Sequence, residues 1–173
     1  GGTGDAKDSG SLMVEGAGRC TVLDSVFEDS YSEGFGGCVV VTSSSSAEFI
    51  RATFERGEAA DKGGIAAVKD DSKVLFQQCV FWEGLSGGEG GAINNYNSFV
   101  NITSCNIAYC RAMLHSGAIF AAGAMFVQDS TFKHNEAGTS GGDMVSTNGA
   151  RVEVVRTVFE GARAATYGGS IAV

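Results

Sequence analysis

Two aromatic residues, Trp82 and Tyr109, lie at nearly equivalent places in the chain, one and two positions after a large apolar residue. Glu83 and His134 lie at similar places in the neighbouring sequence. An aromatic ring offers a flat apolar face with a polar edge, and such a face suits the C–H surface of a sugar ring. Trp82 and Tyr109 are therefore candidate carbohydrate-stacking residues, with ordinary half-exposed aromatic residues as the alternative.

Enzymes that cleave or epimerise polysaccharides need acidic and basic side chains gathered on one surface, so that an acid and a base can act on the same sugar bond. The charged residues of this chain instead recur at constant spacing and alternate in sign, as in Asp24 followed by Arg51 and Asp129 followed by Arg156. Opposite charges at such spacing are expected to pair between neighbouring strands. The pattern predicts no catalytic cluster.

Metal ligation has two weak candidates in this sequence. Glu28 and Glu55 have equivalent places and like charge, which favours a solvated face and leaves a cation site as the alternative. His115 and His134 have different places in the pattern and are not expected to converge. We predict no metal site and no cofactor.

Asn101 begins the sequence Asn-Ile-Thr, an acceptor for N-linked glycosylation. Val100 and Ile102 flank it and are predicted to face inward, so Asn101 is predicted to face outward from a strand. Asn101 is therefore a possible glycosylation site, and a chance occurrence of the sequon is the alternative.

The composition limits the classes of partner. The chain has 173 residues and a formal net charge of −8, whereas nucleic acids and anionic membranes recruit basic surfaces. We therefore expect no nucleic-acid partner. The longest uncharged apolar run, residues 117–127, is too short to cross a membrane as a helix, so we expect no membrane insertion. With 43% hydrophobic residues, the chain can bury a single core.

A repeat of 25 to 27 residues runs through the whole chain, which has 26 Gly and no Pro. Each repeat contains a small residue followed by Gly: Ser9-Gly10, Gly36-Gly37, Gly63-Gly64, Gly90-Gly91, Ser116-Gly117, Gly141-Gly142 and Gly168-Gly169. A large apolar anchor precedes the second residue of each pair, from the second pair onward, by ten positions: Phe27, Phe54, Phe81, Ile107, Phe132 and Phe159. The length varies only between a Gly pair and the next anchor, where a surface connection can absorb it.

Apolar residues alternate with polar ones on both sides of each Gly pair, which predicts short strands with one buried face. One coil of such strands fits 25 to 27 residues, and stacked coils form parallel sheets. Pro is excluded because nearly every backbone N–H is needed for a bond to the next coil. We predict an all-β, single-domain parallel β-helix over residues 1–173, with about seven coils. Partial coils at 1–8 and 170–173 predict a segment of a longer chain.

The five cysteines cannot all pair within one chain, because their number is odd. Cys79 and Cys105 occupy the same inward position in successive coils. In-register stacking separates their Cβ atoms by about 4.8 Å, more than a disulfide prefers. We expect two buried thiols there.

The strand after each Gly pair also suggests a docking face. If its second and fourth residues point inward, the third must point outward. These third positions are mostly apolar, as are the first positions beside them, Cys38, Ile65, Ala92 and Ala118. A bare apolar stripe usually marks a binding surface, so we expect a partner-docking face formed by Met13, Val40, Ala67, Phe120 and Val145.

Two motifs connect this repeat with a known group. Gly90-Gly91-Ala92-Ile93 and Phe132-Lys133-His134-Asn135 resemble the GGA[ILV] and FxxN repeats of polymorphic outer-membrane proteins, which are similar to other right-handed parallel β-helix repeat proteins. The resemblance covers essentially the whole chain and implies a right-handed helix. It also implies a large surface or secreted protein, in many cases an adhesin, and hence an extracellular or cell-surface location, with an organelle lumen or a large assembly as alternatives.

Three functions remain open at this point. The chain is expected to be a non-enzymatic structural or interaction module of a surface, secreted or assembled protein, with a role in adhesion or as a scaffold. One alternative is a carbohydrate-active β-helix enzyme of the lyase, hydrolase or epimerase type, and another is an accessory docking subunit of a multi-protein complex. The expected partners are other segments of the same longer chain or another protein on the outward strand, and glycans.

Overall fold

A computed structural model describes residues 9–147 and 149–173, which form a parallel β-solenoid. Each turn contains three short strands in succession and a fourth strand after the Gly pair. The first strands are β2 (Arg19–Leu23), β6 (Ser46–Ile50), β10 (Lys73–Gln77), β13 (Ile93–Thr103), β16 (Ile119–Gln128) and β20 (Val152–Val155). The second strands carry the apolar anchors: β3 (Val26–Glu28), β7 (Thr53–Glu55), β11 (Val80–Trp82), β14 (Asn106–Ala108), β17 (Thr131–Lys133) and β21 (Val158–Glu160).

The remaining strands flank the Gly pairs. The third strands are β4 (Tyr31–Ser32), β8 (Glu58–Ala59), β12 (Leu85–Ser86), β15 (Arg111–Ala112), β18 (Glu136–Ala137) and β22 (Arg163–Ala164). The strands after the Gly pairs are β1 (Leu12–Val14), β5 (Val39–Val41), β9 (Ala66–Val68), the first parts of β13 and β16, β19 (Met144–Ser146) and β23 (Ile171–Ala172). Two of the three sheets have six strands, so the described residues form six turns, while the strand after the Gly pair occurs once more.

Every strand pair in the described residues is parallel, and all but the β13–β16 pair keep one constant register, as the repeat predicts. Phe54, for example, pairs with Phe27 on one side and with Phe81 on the other. Residues one repeat apart along the chain are therefore direct neighbours in space. Because of this correspondence, contacts between turns can be deduced from the sequence alone.

The core is a double ladder of aromatic rings. The anchors Phe27, Phe54 and Phe81 stack with ring centroids 5.1 Å apart, and Phe49 and Phe76 stack beside them at 5.2 Å. The two ladders meet edge to face, which is a preferred geometry for aromatic pairs. In a later turn Phe132, another fully buried anchor, stacks on Phe159. The prediction that the anchors form the core is confirmed.

The two positions of a Gly pair require glycine for different physical reasons. The first, such as Gly36, has a φ of 58°, a conformation that side chains with a Cβ rarely adopt. The second packs against the next turn, and a Cβ added at Gly64 would collide with the carbonyl oxygen of Gly91. Ser116 is the exception: it has a φ of 62° in place of a first glycine.

The turns differ in length where the chain passes from the fourth strand to the next first strand. In β13 and β16 this connection is not a loop, because the two strands run together as one. A bulge between Tyr96 and Phe99 adjusts the register of this pair. The Nδ2 of Asn95 donates a hydrogen bond of 3.0 Å to the carbonyl of Ala124, which ties the two strands together at this corner.

The expected docking face requires a correction. Val40, Ala67, Phe120 and Val145 are buried, and of the proposed set only Met13 is exposed, at 43%. These side chains do point away from the main core, as alternation predicts, since that core contains Val39 and Val41 but not Val40. For Val40 and Val145 the backbone of the first glycine provides the cover: a Cβ added at Gly36 would contact Cγ2 of Val40, and one at Gly141 would contact Cγ2 of Val145.

The neighbouring positions also differ from the expectation. Cys38, Ile65, Ala92 and Ala118 point inward and belong to the main core. The reason is a local break in alternation, because the backbone N–H groups of Cys38 and Val39 both donate to the carbonyl of Ile65. Two consecutive residues therefore face the core, as in a β-bulge. The strand after the Gly pair presents no bare apolar stripe within the described turns.

Candidate functional site

The aromatic residues predicted to be neighbours are in contact. The ring centroids of Trp82 and Tyr109 are 4.6 Å apart, and those of Tyr109 and His134 are 5.3 Å apart. The three rings form a continuous row across three successive turns. We call this row, together with the charged residues beside it, the aromatic groove.

The local backbone explains why these rings meet. Tyr109 and His134 are corner residues between the second and third strands, with φ values of 56° and 53°. Their N–H groups donate to carbonyls of the following turn, at Lys133 and Glu160 respectively, so the corners stack directly. Trp82 ends β11, and its strand partner is Ala108, whose small buried side chain leaves space beside the indole.

Gly161 makes room for the last ring of the row. It is the corner residue of the turn after His134 and has a φ of 68°. A Cβ at this position would collide with the imidazole of His134. The imidazole therefore lies over a bare backbone corner.

The groove beside the rings has a volume of about 560 Å³. Its lining combines two aromatic side chains with charges of both signs: Glu83, Gly84, Leu85, Tyr109, Arg111, His134, Glu136, Gly161 and Arg163. Arg111 donates to Glu136 at 2.8 Å. Among the described residues, the carboxylate of Glu83 and the guanidinium of Arg163 have no ion-pair partner, so each is available to a ligand.

The two charge pairs predicted from the spacing form across turns. Arg51 donates two hydrogen bonds to Asp24, at 2.6 and 2.7 Å, and Arg156 donates two to Asp129, at 2.6 and 2.9 Å. The hydrogen bonds from Arg156 lower the pKa of Asp129 to about 2. These pairs are exposed, and they hold their charged groups in the repeat pattern rather than gathering them into one site.

Glu28 and Glu55, which carry like charge, are neighbours on successive turns, and Arg56 forms ion pairs with both. Its guanidinium lies 2.6 Å from Asp29, 3.0 Å from Glu55 and 3.6 Å from Glu28. Asp29 foremost, and then Glu55, raise the pKa of Arg56 above its usual value. One side chain thus supplies positive charge to three carboxylates.

The two histidines considered as metal ligands do not converge. His115 forms a hydrogen bond of 2.7 Å with the hydroxyl of Thr139, whereas His134 lines the aromatic groove. No group of three metal-binding side chains exists in residues 9–147 and 149–173. All five cysteines are free, and the N–H of Cys79 donates to the Sγ of Cys105 at 3.4 Å, which agrees with two buried thiols.

One buried polar pair was not predicted. Asn135 accepts a hydrogen bond from the N–H of Cys110 at 2.9 Å and donates to the carboxylate of Asp143 at 2.8 Å. Asp143 is fully buried, and burial raises its pKa to about 6. The only sequence signal was the Asn of the FxxN motif, whereas Asp143 occupies a position that is apolar in four other turns.

Asn101 faces outward from β13, as predicted. Its strand neighbours are Leu75 on one side and Phe126 on the other. The hydroxyl of Thr103 donates a hydrogen bond of 3.2 Å to Oδ1 of Asn101. The acceptor asparagine and the threonine of the sequon therefore lie on the same face of the strand.

The comparisons with known proteins bear on the fold. A family model described as a right-handed beta helix region matches residues 6–159. No curated protein and no solved structure matches the chain. Within the described residues, no helix is long and apolar enough to cross a membrane.

Proposed function

This chain belongs to the right-handed β-helix family, and we propose that it is a non-enzymatic interaction module of a surface or secreted protein that binds glycans along the aromatic groove. The observation that carries the proposal is the contact row of Trp82, Tyr109 and His134 beside charged residues. The resemblance of residues 90–93 and 132–135 to polymorphic outer-membrane repeats supports a location at the cell surface.

The chemistry of the aromatic groove suits an oligosaccharide. Sugar rings combine an apolar C–H face, which can pack on an aromatic ring, with hydroxyl groups at the edge that need hydrogen-bond partners. Tyr109 supplies the ring face, while Glu83 can accept and Arg163 can donate hydrogen bonds. The row extends across successive turns, so it favours a chain of sugars over a single one.

Binding is favoured over catalysis by the arrangement of the carboxylates. Glycosidases generally use two carboxyl groups that flank the scissile bond, one of them as a proton donor. In the aromatic groove Glu136 accepts hydrogen bonds from Arg111, and Glu83 is the remaining carboxylate of the lining. This arrangement supports a site that holds a glycan without cleaving it.

Trp82 is the only tryptophan of the chain and its ring contacts that of Tyr109, so its fluorescence reports on the aromatic groove through this contact. We expect a saturable change in this fluorescence when soluble neutral and acidic oligosaccharides are titrated into the protein. Tyr109→Ala should weaken binding about tenfold, which corresponds to ~1.4 kcal/mol and is typical of a lost ring contact.

Tyr31→Ala is the matched control, because Tyr31 is an exposed aromatic residue in the first turn, away from the aromatic groove. This variant should bind as the unchanged protein does. No fluorescence change with any oligosaccharide class, or equal weakening by both variants, would overturn the proposal. Release of shortened products from the oligosaccharide would instead establish the carbohydrate-active enzyme.

A further inference from the structure

The outer face of the first-strand sheet changes character at β13. In the register column of Asn101 this face carries the charged residues Glu48 and Glu153, each two turns away on either side. At β13 and its neighbours it carries an apolar patch instead. The patch consists of Phe99, which is 41% exposed, and the half-buried Leu75 and Phe126, and Lys73 pairs with Phe99 at its border.

Asn101 lies at the centre of this apolar patch, which we call the outer patch. It pairs in register with Leu75 and Phe126, and Phe99 is two positions before it on the same face of β13. Asn101 also begins the only Asn-X-Ser/Thr sequence in the chain. An acceptor for a bulky, solubilising group thus coincides with the place where the charged outer face is interrupted.

We propose that Asn101 carries an N-linked glycan whose first sugars pack on Phe99 and Phe126 and cover the outer patch. The hydroxyl of Thr103 donates to Oδ1 of Asn101, while the Nδ2 makes no hydrogen bond to any described residue. The nitrogen that must receive the sugar is therefore the free atom of the amide.

The modification transfers an oligosaccharide from a lipid diphosphate carrier. A bond forms between Nδ2 of Asn101 and the anomeric carbon of the first N-acetylglucosamine. The bond between that carbon and the diphosphate oxygen breaks, the lipid diphosphate leaves, and Nδ2 loses one proton. No change of oxidation state occurs.

Strand geometry explains how the sugars reach the rings. Side chains two positions apart project from the same face of a strand, so Phe99 and Thr103 flank Asn101 along β13. Phe126 flanks it across the sheet, on the neighbouring strand. The C–H face of the first sugar can therefore cover an aromatic ring, and exposed apolar area falls.

The first test is the mass of the full chain secreted from a eukaryotic host that performs N-glycosylation. We expect a mass increase that peptide N-glycosidase removes, and none in Thr103→Val, which lacks only the hydroxyl of the sequon. Because Asn101 heads the only sequon, the increase reports on this residue alone. Secreted protein with the unmodified mass would overturn the proposal.

The second test asks whether the glycan contacts the outer patch. The Tm of the glycosylated protein should exceed that of Asn101→Gln by about 2 to 4 °C, the shift typical of one moderate contact in a chain of this size. In a Phe99→Ser background the difference should become smaller, because the contact with Phe99 is lost while that with Phe126 remains, as a double-mutant cycle detects for groups in contact. Val26→Ser, which removes an exposed apolar residue of the first turn, should preserve it. An unchanged difference in Phe99→Ser would overturn the packing of the glycan on the outer patch.

Discussion

Ser116 departs from the repeat in a way that should lower the free energy of unfolding. The first residues of the other pairs with positive φ are all glycines, at Gly36, Gly63, Gly90, Gly141 and Gly168. Ser116 keeps the same left-handed backbone, is fully buried, and its hydroxyl has no partner among the described residues. A residue with a Cβ in this conformation is less stable than glycine.

We expect Ser116→Gly to raise the free energy of unfolding by about 1 to 2 kcal/mol, because it removes both the backbone strain and the unpaired hydroxyl. Chemical denaturation measures the change. The reciprocal variant Gly90→Ser should lower the stability, since it introduces the same strain in the preceding turn. A loss of stability in Ser116→Gly would contradict this account.

Asp143 should make stability depend on pH in the direction opposite to the surface carboxylates. Burial raises its pKa to about 6, so the folded state holds this proton more tightly than the unfolded state does. Its favourable contribution is fully present below pH ~4, the unfolded pKa, and is lost as the pH rises through about 6. Asp143→Asn should therefore gain about 1 to 3 kcal/mol at pH 7 relative to the unchanged protein.

Denaturation curves between pH 2 and 8 test this sign, because they cover the titration of Asp129 at the acid end and of Asp143 near 6. Asp129→Asn serves as the comparison, because hydrogen bonds from Arg156 lower the pKa of Asp129 and its stabilising effect is present at higher pH. The two variants should change the pH slope in opposite directions. Equal slopes in Asp143→Asn and the unchanged protein would show that the carboxyl is not buried as described.

At the scale of the strand, β5 illustrates how a predicted outward face becomes an interior one. Val40 points away from the main core, yet it is fully buried because the backbone at Gly36 lies over it. Met13 is its strand partner in the preceding turn and is exposed. The same register position thus occurs in both environments.

Val40→Lys should lower the free energy of unfolding by about 3 to 5 kcal/mol, since it places an uncompensated charge in a buried site. Met13→Lys, at the same register position, should change it by less than about 0.5 kcal/mol. Thermal and chemical denaturation of the two variants provide the comparison. Equally mild effects would mean that the outer side of this strand is open to solvent after all.

At the scale of the whole molecule, each turn contacts mainly the turns before and after it, and stability is close to a sum over neighbouring pairs. The burial of the stacked aromatic anchors follows this dependence on neighbouring turns. Phe81 and Phe132 are fully buried between turns, while Phe159, in the last described turn, is only half-buried. The same truncation should therefore have a cost that depends on position.

Phe81→Ala and Phe132→Ala should each lower the free energy of unfolding by about 3 to 5 kcal/mol, the usual cost of a large cavity. Phe159→Ala should cost less, because solvent already reaches its ring. Urea denaturation gives all three values. A loss below about 1 kcal/mol for Phe81→Ala would contradict a continuous ladder of anchors.

Much of the molecule could be read from the sequence because an in-register solenoid converts sequence spacing into spatial contact. The pairing of Asp24 with Arg51, the stacking of Phe54 on Phe81 and the contact of Trp82 with Tyr109 all follow from one repeat length. The sequence by itself therefore determined the parallel β-helix and the ring contact at the centre of the aromatic groove.

The tertiary structure decided the features that break the repeat or cross over it. It placed the backbone of Gly36 over Val40, turned Cys38 inward beside Val39, and buried Asp143 against Asn135. Alternation along a strand gives the direction of a side chain, but the path of the preceding backbone decides whether anything covers it. The left-handed corners and a carbonyl shared by two N–H groups set that path, and neither has a signature in the apolar pattern.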